Sequence, residues 1–299
     1  MRRLSSSYSL VGLVLAMGMV ASPVLSYEAA TVSSQDATTA PSALREITAQ
    51  EAVDGAWRLQ GDRARDGVRH PVQSFEFWRI KPSMTVVEIR PGAGYWTDLL
   101  APYLAAGGGK LIVTSGDPDK MNEAQKGGLA RYLKRYQDNP ALYGSLDVGV
   151  FAANSDKLLA APGSVDLIIS SRNFHGFVLQ NIKDYALKSM FDALKPGGLV
   201  AIEQHRGDAR RPQNANSGYL RQDWVIAQMR QAGFEFVASS EINANPNDTK
   251  DHPFGVWTLP PTLQTAPSGQ PANPNFDNSK YKAIGESDRM TLLFAKPAR

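Results

Sequence analysis

Thr85-Val86-Val87-Glu88-Ile89-Arg90-Pro91-Gly92-Ala93-Gly94-Tyr95-Trp96-Thr97 is a β-type apolar run that ends in an acid, bends through Gly-x-Gly and opens into a helical stretch. Glycines permit positive φ and let a ligand approach the backbone. The helix start after such a turn offers free N–H groups and a partial positive charge. Glu88 is placed to hold an ammonium or to stabilise the turn. Many tight turns carry two glycines without a ligand, so the surrounding sequence has to decide.

Outward from this turn, short β-type runs alternate with amphipathic stretches. The runs are 85–89, 110–114, 146–151, 165–170, 199–203, 234–239 and 290–295. Helical patterning covers 95–104, 127–136, 156–159, 182–194 and 222–232. This alternation predicts βαβ units and a largely parallel α/β sheet. No helical pattern separates the last two runs, which are expected to pair antiparallel. Residues 243–287 between them hold seven prolines and six asparagines, which predicts a long irregular insertion, a functional lid or a mobile loop. Residues 51–78 read as helix in two pieces broken at His70-Pro71. Lys195-Pro196-Gly197-Gly198 reads as the turn between a helix and the next strand.

At 42% hydrophobic and 20% charged, the 299-residue chain is no collagen, coiled coil or fully disordered polymer. It has 32 basic and 29 acidic residues, but Arg2 and Arg3 lie in a segment expected to be removed. The remaining balance is too even to point to nucleic acid. The absence of cysteine excludes thiol catalysis, disulfides, Cys-zinc sites and a lipoprotein anchor. Met1-Arg2-Arg3, an apolar run over 10–20 and the small residues before Tyr27 form a secretory signal pattern over 1–26. That run is shorter than the ~20 residues a membrane helix needs. The expectation is an exported, periplasmic protein with no stable membrane anchor after cleavage. Residues 27–46, rich in Ala, Thr and Ser, read as a disordered tether, followed by a single domain over 47–297.

The stretch Glu88-Ile89-Arg90-Pro91-Gly92-Ala93-Gly94 resembles motif I of the class I S-adenosylmethionine-dependent methyltransferases. Together with Tyr95-Trp96-Thr97, Leu100-Ala101-Pro102-Tyr103-Leu104, Arg63-Ala64-Arg65-Asp66, Arg69-His70-Pro71 and Asp288-Arg289-Met290-Thr291-Leu292-Leu293-Phe294, it is similar to a little-characterised branch of predicted, often exported, methyltransferases. The resemblance spans roughly 50–297. It implies a three-layer, doubly wound, seven-stranded, mostly parallel sheet with an antiparallel last strand, a Rossmann-like methyltransferase fold. It also implies S-adenosylmethionine at the carboxyl ends of the first two strands, where open α/β sheets take ligands. Residues 47–80 would then form an N-terminal cover; Arg63, Arg65 and Arg69 read as a solvated helix face or, as part of that cover, as a group that meets an anion.

On this reading Glu88, Arg90, Pro91, Gly92 and Gly94 contact the cofactor. Arg90 stands where the general motif has its first glycine, and can attract the cofactor carboxylate or block it. Ser115 falls where the family's ribose-binding acid ends the second strand. Asp117, two residues on, is the ribose candidate; the alternative is a turn cap before Pro118. Substrate-facing groups are expected after the fourth and fifth strands: Arg172 and Asn173 to orient an anionic or carbonyl substrate, His175 as base, and Glu203 and His205 as a second substrate-side pair. A metal is not expected, since no H-E-x-x-H spacing occurs. No G-x-S-x-G follows a strand, which excludes the usual serine hydrolase pattern. The reaction implied is methyl transfer to a small molecule; the alternative is an exported, non-catalytic ligand-binding protein that keeps the fold. A nicotinamide enzyme would need a third glycine at the position of Thr97. Oligomeric state is left open.

Overall fold

Val86 and Val87 are both fully buried, yet they belong to two different hydrophobic clusters, one on each face of the sheet. The two-residue period of a strand requires this. The same division separates Leu167 and Ile169 from Ile168. Strands buried on both faces read as continuous apolar runs, which is why the sequence shows runs here rather than alternation. The computed structural model describes residues 45–299. The expected signal peptide and nearly all of the expected tether lie outside the described residues.

Seven strands form one sheet: β1 (Thr85–Glu88), β2 (Lys110–Ser115), β3 (Leu146–Val150), β4 (Val165–Ser171), β5 (Leu194–His205), β6 (Glu235–Ser240) and β7 (Arg289–Ala295). Their order is β3-β2-β1-β4-β5-β7-β6. Strands β1 to β5 pair in parallel, and β7 runs antiparallel to both β5 and β6. The expected doubly wound sheet with an antiparallel last strand is thus the observed one. Chain order reverses on either side of β1, so the crevice for a ligand opens at the carboxyl ends of β1 and β4.

The N-terminal region holds α1 (Ala49–Asp54), α2 (Gln60–Arg63), α3 (Asp66–Arg69) and α4 (Pro71–Phe77). Four short helices replace the expected two pieces. Thr48 and Glu51 form a capping box that starts α1, and Gly55 ends it. The predicted break is present: His70 is left-handed at φ 44° and Pro71 is the first residue of α4. Helices α1 and α4 join α5 (Thr97–Ala106), α6 (Glu123–Gln137) and α7 (Pro140–Tyr143) on the Val86 face. On the Val87 face lie α8 (Phe174–Leu179), α9 (Lys183–Ala193) and α10 (Gln222–Gln231). Each fully buried large side chain in these layers contributes about 1.5–3 kcal/mol.

Two local expectations are corrected. Residues 156–159 form no helix: the Val150 N–H donates to the Leu158 carbonyl, so the segment runs alongside β3. Lys195–Gly198 lies within β5, as an irregularity where pairing jumps from Val165–Leu194 to Leu167–Leu199. Reciprocal backbone bonds from Gly197 and Gly198 to Lys296 hold it there. The insertion 243–287 contains only a short 3-10 turn (Gly255–Thr258) and α11 (Ser279–Ile284). It is nevertheless fastened by side chains. Asn243 donates to Thr291 Oγ1 (3.0 Å), and Asn245 donates to the Ile284 and Glu286 carbonyls (2.9 and 2.7 Å). Asp248 accepts from the Tyr219 hydroxyl, the Asp288 N–H and His252 Nε2.

Candidate functional site

The turn after β1 uses its two glycines for different ends. Gly92 has φ 62°, and a Cβ built there meets nothing within 4 Å. Its open side is a place where a ligand can reach the backbone. Gly94 has φ 97°, and a Cβ there would lie 2.3 Å from the Tyr136 hydroxyl. That glycine serves close packing of the turn on α6. The Arg90 N–H donates to Thr114 Oγ1 (2.7 Å), tying the turn to β2.

Glu88 points into this packing. It accepts a hydrogen bond from Thr97 Oγ1 (2.5 Å), and Thr97 also meets the Tyr132 hydroxyl (2.6 Å). Burial pushes the Glu88 carboxyl up from 4.5 to about 8, against the Thr97 bond and with help from Asp98. Glu88 is therefore protonated at neutral pH. The raised pKa makes the native state bind the extra proton, so its contribution to stability declines as pH rises from 4.5 to about 8. Urea titrations of Glu88→Gln across that range are expected to lack most of the decline, roughly 5 kcal/mol at its upper limit. Equal pH slopes in variant and wild type would contradict the assignment.

A crevice of about 280 Å³ opens between this turn and the end of β4. Gly92, Tyr95 and Trp96 form one side, Arg172 and Asn173 the other, and Arg65 and Arg69 roof it from the N-terminal helices. Asn173 Nδ2 donates to the Ile89 carbonyl (2.7 Å), which fixes the two strand ends together. The roof is tied down by Arg58 on Asp66 (2.6 and 2.7 Å) and by the Tyr95 hydroxyl on Asp66 (2.7 Å). The Arg69 guanidinium lies 4.5 Å from the Tyr95 ring centroid. Arg69 and Trp96 are only 2% and 3% exposed, yet Arg69 Nη1, Trp96 Nε1 and Arg65 Nε have no hydrogen-bond partner among the described residues. Buried donors of this kind normally find an acceptor.

Arg90 lines the crevice, but its guanidinium is held at the far side of the turn. Its guanidinium lies over Phe151 and Phe177 (5.5 and 5.4 Å to the centroids) and donates to Gln180 Oε1 (2.7 Å). Asp117 plays the capping role: it accepts from the Asp119 N–H (3.1 Å), Ser155 Oγ (2.8 Å) and Lys157 Nζ (2.8 Å). The Lys157 and Ser155 bonds hold its carboxyl down at about 2. The carboxylate expected for a ribose is already engaged by a lysine from the loop after β3.

Glu203, at the end of β5, faces an ionic cluster, and His205 beside it packs on Ser287, His175 and Tyr219; neither lines the crevice. Glu203 Oε1 lies 2.7 Å from Arg289 Nε, and Ser171 Oγ donates to Glu203 Oε2 (2.5 Å). Burial raises the Glu203 carboxyl, but Arg289 and Arg172 pull it below its ordinary range. His205 Nδ1 contacts Ser287 Oγ (2.5 Å), and its ring lies 5.6 Å from that of His175. His175 Nδ1 is 3.3 Å from Gln204 Oε1, and its ring abuts Trp257 of the insertion. Burial lowers the pKa of both histidines, that of His205 strongly, so both imidazoles are neutral at pH 7. Among the described residues no three His, Asp or Glu side chains are grouped to hold a metal ion.

The strand order, with β7 reversed between β5 and β6, decides the architecture. It is the doubly wound sheet that the resemblance to the class I S-adenosylmethionine-dependent methyltransferases implies. No family model matches the chain, and no curated protein matches it. Similar solved structures include a SAM-dependent methyltransferase from Aquifex aeolicus, 16% identical, covering 66% of this chain and 94% of that one at a TM-score of 0.46. An arsenic(III) S-adenosylmethionine methyltransferase from Chlamydomonas reinhardtii is 14% identical, covering 84% and 74% at 0.46. The cyclase SpnF is also similar, 14% identical, covering 80% and 81% at 0.46. At such identities the likeness concerns the fold alone.

The cofactor this methyltransferase fold implies can be tested against the crevice. The open backbone at Gly92 and the cations of Arg65 and Arg69, which line the same crevice, fit the carboxylate end of an amino-acid cofactor; the unpartnered Arg65 Nε, Arg69 Nη1 and Trp96 Nε1 atoms are themselves closed off from solvent. Sequence reasoning missed Trp96 as a donor and missed Glu286 and Arg289 altogether. Arg289 sits in the Asp288-Arg289-Met290 stretch singled out by resemblance, but nothing local to it revealed its partners.

Proposed function

We propose that this protein transfers a methyl group from S-adenosylmethionine to a small molecule in the crevice between β1 and β4. The observation that carries the reading is the open Gly92 backbone in a crevice lined by the cations of Arg65 and Arg69. Bound S-adenosylmethionine supplies an electrophilic methyl group on a sulfonium. Gly92 would admit the amino-acid end, and Arg65, Arg69 and Trp96 would hold its carboxylate. Asn173 and Arg172 orient the acceptor, and the main gain comes from alignment and exclusion of water. His175, neutral and held by Gln204, takes a proton where the acceptor arrives protonated. Glu203 and His205 position Arg172 and His175 from below. Glu88 stays protonated and holds the turn.

Calorimetric titration of the purified protein with S-adenosylmethionine and S-adenosylhomocysteine tests this. Saturable binding of both is expected; no heat from either overturns it. The alternative reading is a non-catalytic ligand-binding protein that keeps the fold. Binding without turnover of any acceptor would select that reading. Export to the periplasm is also proposed, from the signal pattern over 1–26. Cell fractionation checks it, and a wholly cytosolic protein would remove the proposal.

A further inference from the structure

Three arginines, Arg69, Arg172 and Arg289, meet two carboxylates, Glu203 and Glu286, at the ends of β4, β5 and β7. Arg69 holds Glu286 through contacts of 2.9 and 3.0 Å. Arg289 lies 2.7 Å from Glu203 and 2.5 Å from Glu286. Arg172 is left with one approach of 3.8 Å to Glu286 and no side-chain hydrogen bond among the described residues. Its side chain is 24% exposed, and that exposure is to the crevice. The neighbouring titratable groups leave this charge standing: His175 and His205 are neutral, and Glu88 across the crevice is protonated.

Arg172 is also held rather than loose. Its φ is 58°, a region sparsely used by residues with a side chain, and its N–H donates to the Glu203 carbonyl (2.6 Å). A guanidinium offers a planar fork of donors that matches carboxylate and phosphate oxygens in pairs. A largely buried cation whose one ion-pair partner stands 3.8 Å away is costly unless a ligand supplies the rest of the counter-charge.

We infer that Arg172 seats an oxyanion, a carboxylate or a phosphate, carried by the methyl acceptor. This rests on the methyl-transfer reading for the word acceptor, but not for the anion site itself. Arg65, Arg69 and Trp96 serve the cofactor's carboxylate, and Arg172 serves the acceptor's charge.

The test titrates the full protein with acetate and with inorganic phosphate at constant ionic strength, with and without saturating S-adenosylhomocysteine. Arg172→Asn removes the charge while asparagine tolerates the left-handed backbone; Arg172→Lys keeps the charge. At least one probe is expected to bind the wild type saturably, and Arg172→Asn to weaken it by at least about tenfold. Arg172→Lys is expected to recover part of that loss, with S-adenosylhomocysteine affinity moving less than about threefold in both variants. The relative strength of the two probes separates a carboxylate from a phosphate acceptor. No saturable binding of either probe overturns the inference, as does equal binding by wild type and Arg172→Asn. A parallel loss of S-adenosylhomocysteine affinity also overturns it, by placing Arg172 on the cofactor. Failure of the wild type to bind S-adenosylhomocysteine sinks the methyl-transfer reading instead, while the probe titrations still report on Arg172.

Discussion

Gly92→Val is expected to weaken S-adenosylhomocysteine binding by at least about 100-fold, about 3 kcal/mol, as read by calorimetry. The open space at the Cβ position is the reason: two methyl groups would stand where the ligand has to approach the backbone. Valine at φ 62° also carries a backbone penalty of about 1–3 kcal/mol, so the melting temperature has to be measured alongside. Gly92→Asn separates the two effects, because asparagine accepts positive φ but still fills the space. Unchanged affinity in a folded Gly92→Asn protein would remove the turn from the cofactor site. Gly94 offers no such test. A side chain there drives into Tyr136, and the loss would be one of folding.

Arg289→Met is expected to cost about 3–5 kcal/mol in urea unfolding, the usual cost of stripping one partner from a buried ion pair. Arg289 is 1% exposed and holds Glu203, Glu286 and the Val68 carbonyl at once. It therefore links β5, β7 and the N-terminal roof. Glu203 and Glu286 both sit below the ordinary carboxylate range, because nearby arginines outweigh the effect of burial. Depressed folded values contribute stability that is present above the unfolded value and is lost as pH falls through the folded one. The difference between wild type and Arg289→Met should accordingly be full at neutral pH and shrink in acid. Adding Glu203→Gln to Arg289→Met should recover part of the loss. A cost under about 1 kcal/mol at pH 7 would mean the cluster is far wetter than its burial indicates.

The strand runs were legible because burial on both faces leaves an uninterrupted apolar signature, as in Val86–Val87 and Ile168–Ile169. The break at His70-Pro71 was legible because proline constrains its own neighbours. Four short helices were read as two because Gly55 and the Leu59–Gln60 step break the helix without a proline. The partners of Asp117 were not legible because Ser155 and Lys157 arrive from the loop after β3. The histidines were read after the fourth and fifth strands, where His175 falls in α8 and His205 ends β5, but the direction of their rings depends on Gln204, Ser287 and Trp257.

By itself the sequence determined the parallel sheet, the sharp bend after β1 and the position of the glycine that leaves it open. These follow from residue periodicity and from the φ preferences of single residues, which act over a few positions of chain. Only the tertiary structure decided which charges are compensated. Arg69 and Glu286 stand 217 residues apart and meet because β7 enters the sheet in reverse, bringing Glu286 and Arg289 beneath the roof. A pairing of that kind depends on where the chain returns, so the uncovered Arg172 emerges only once every neighbouring partner has been placed.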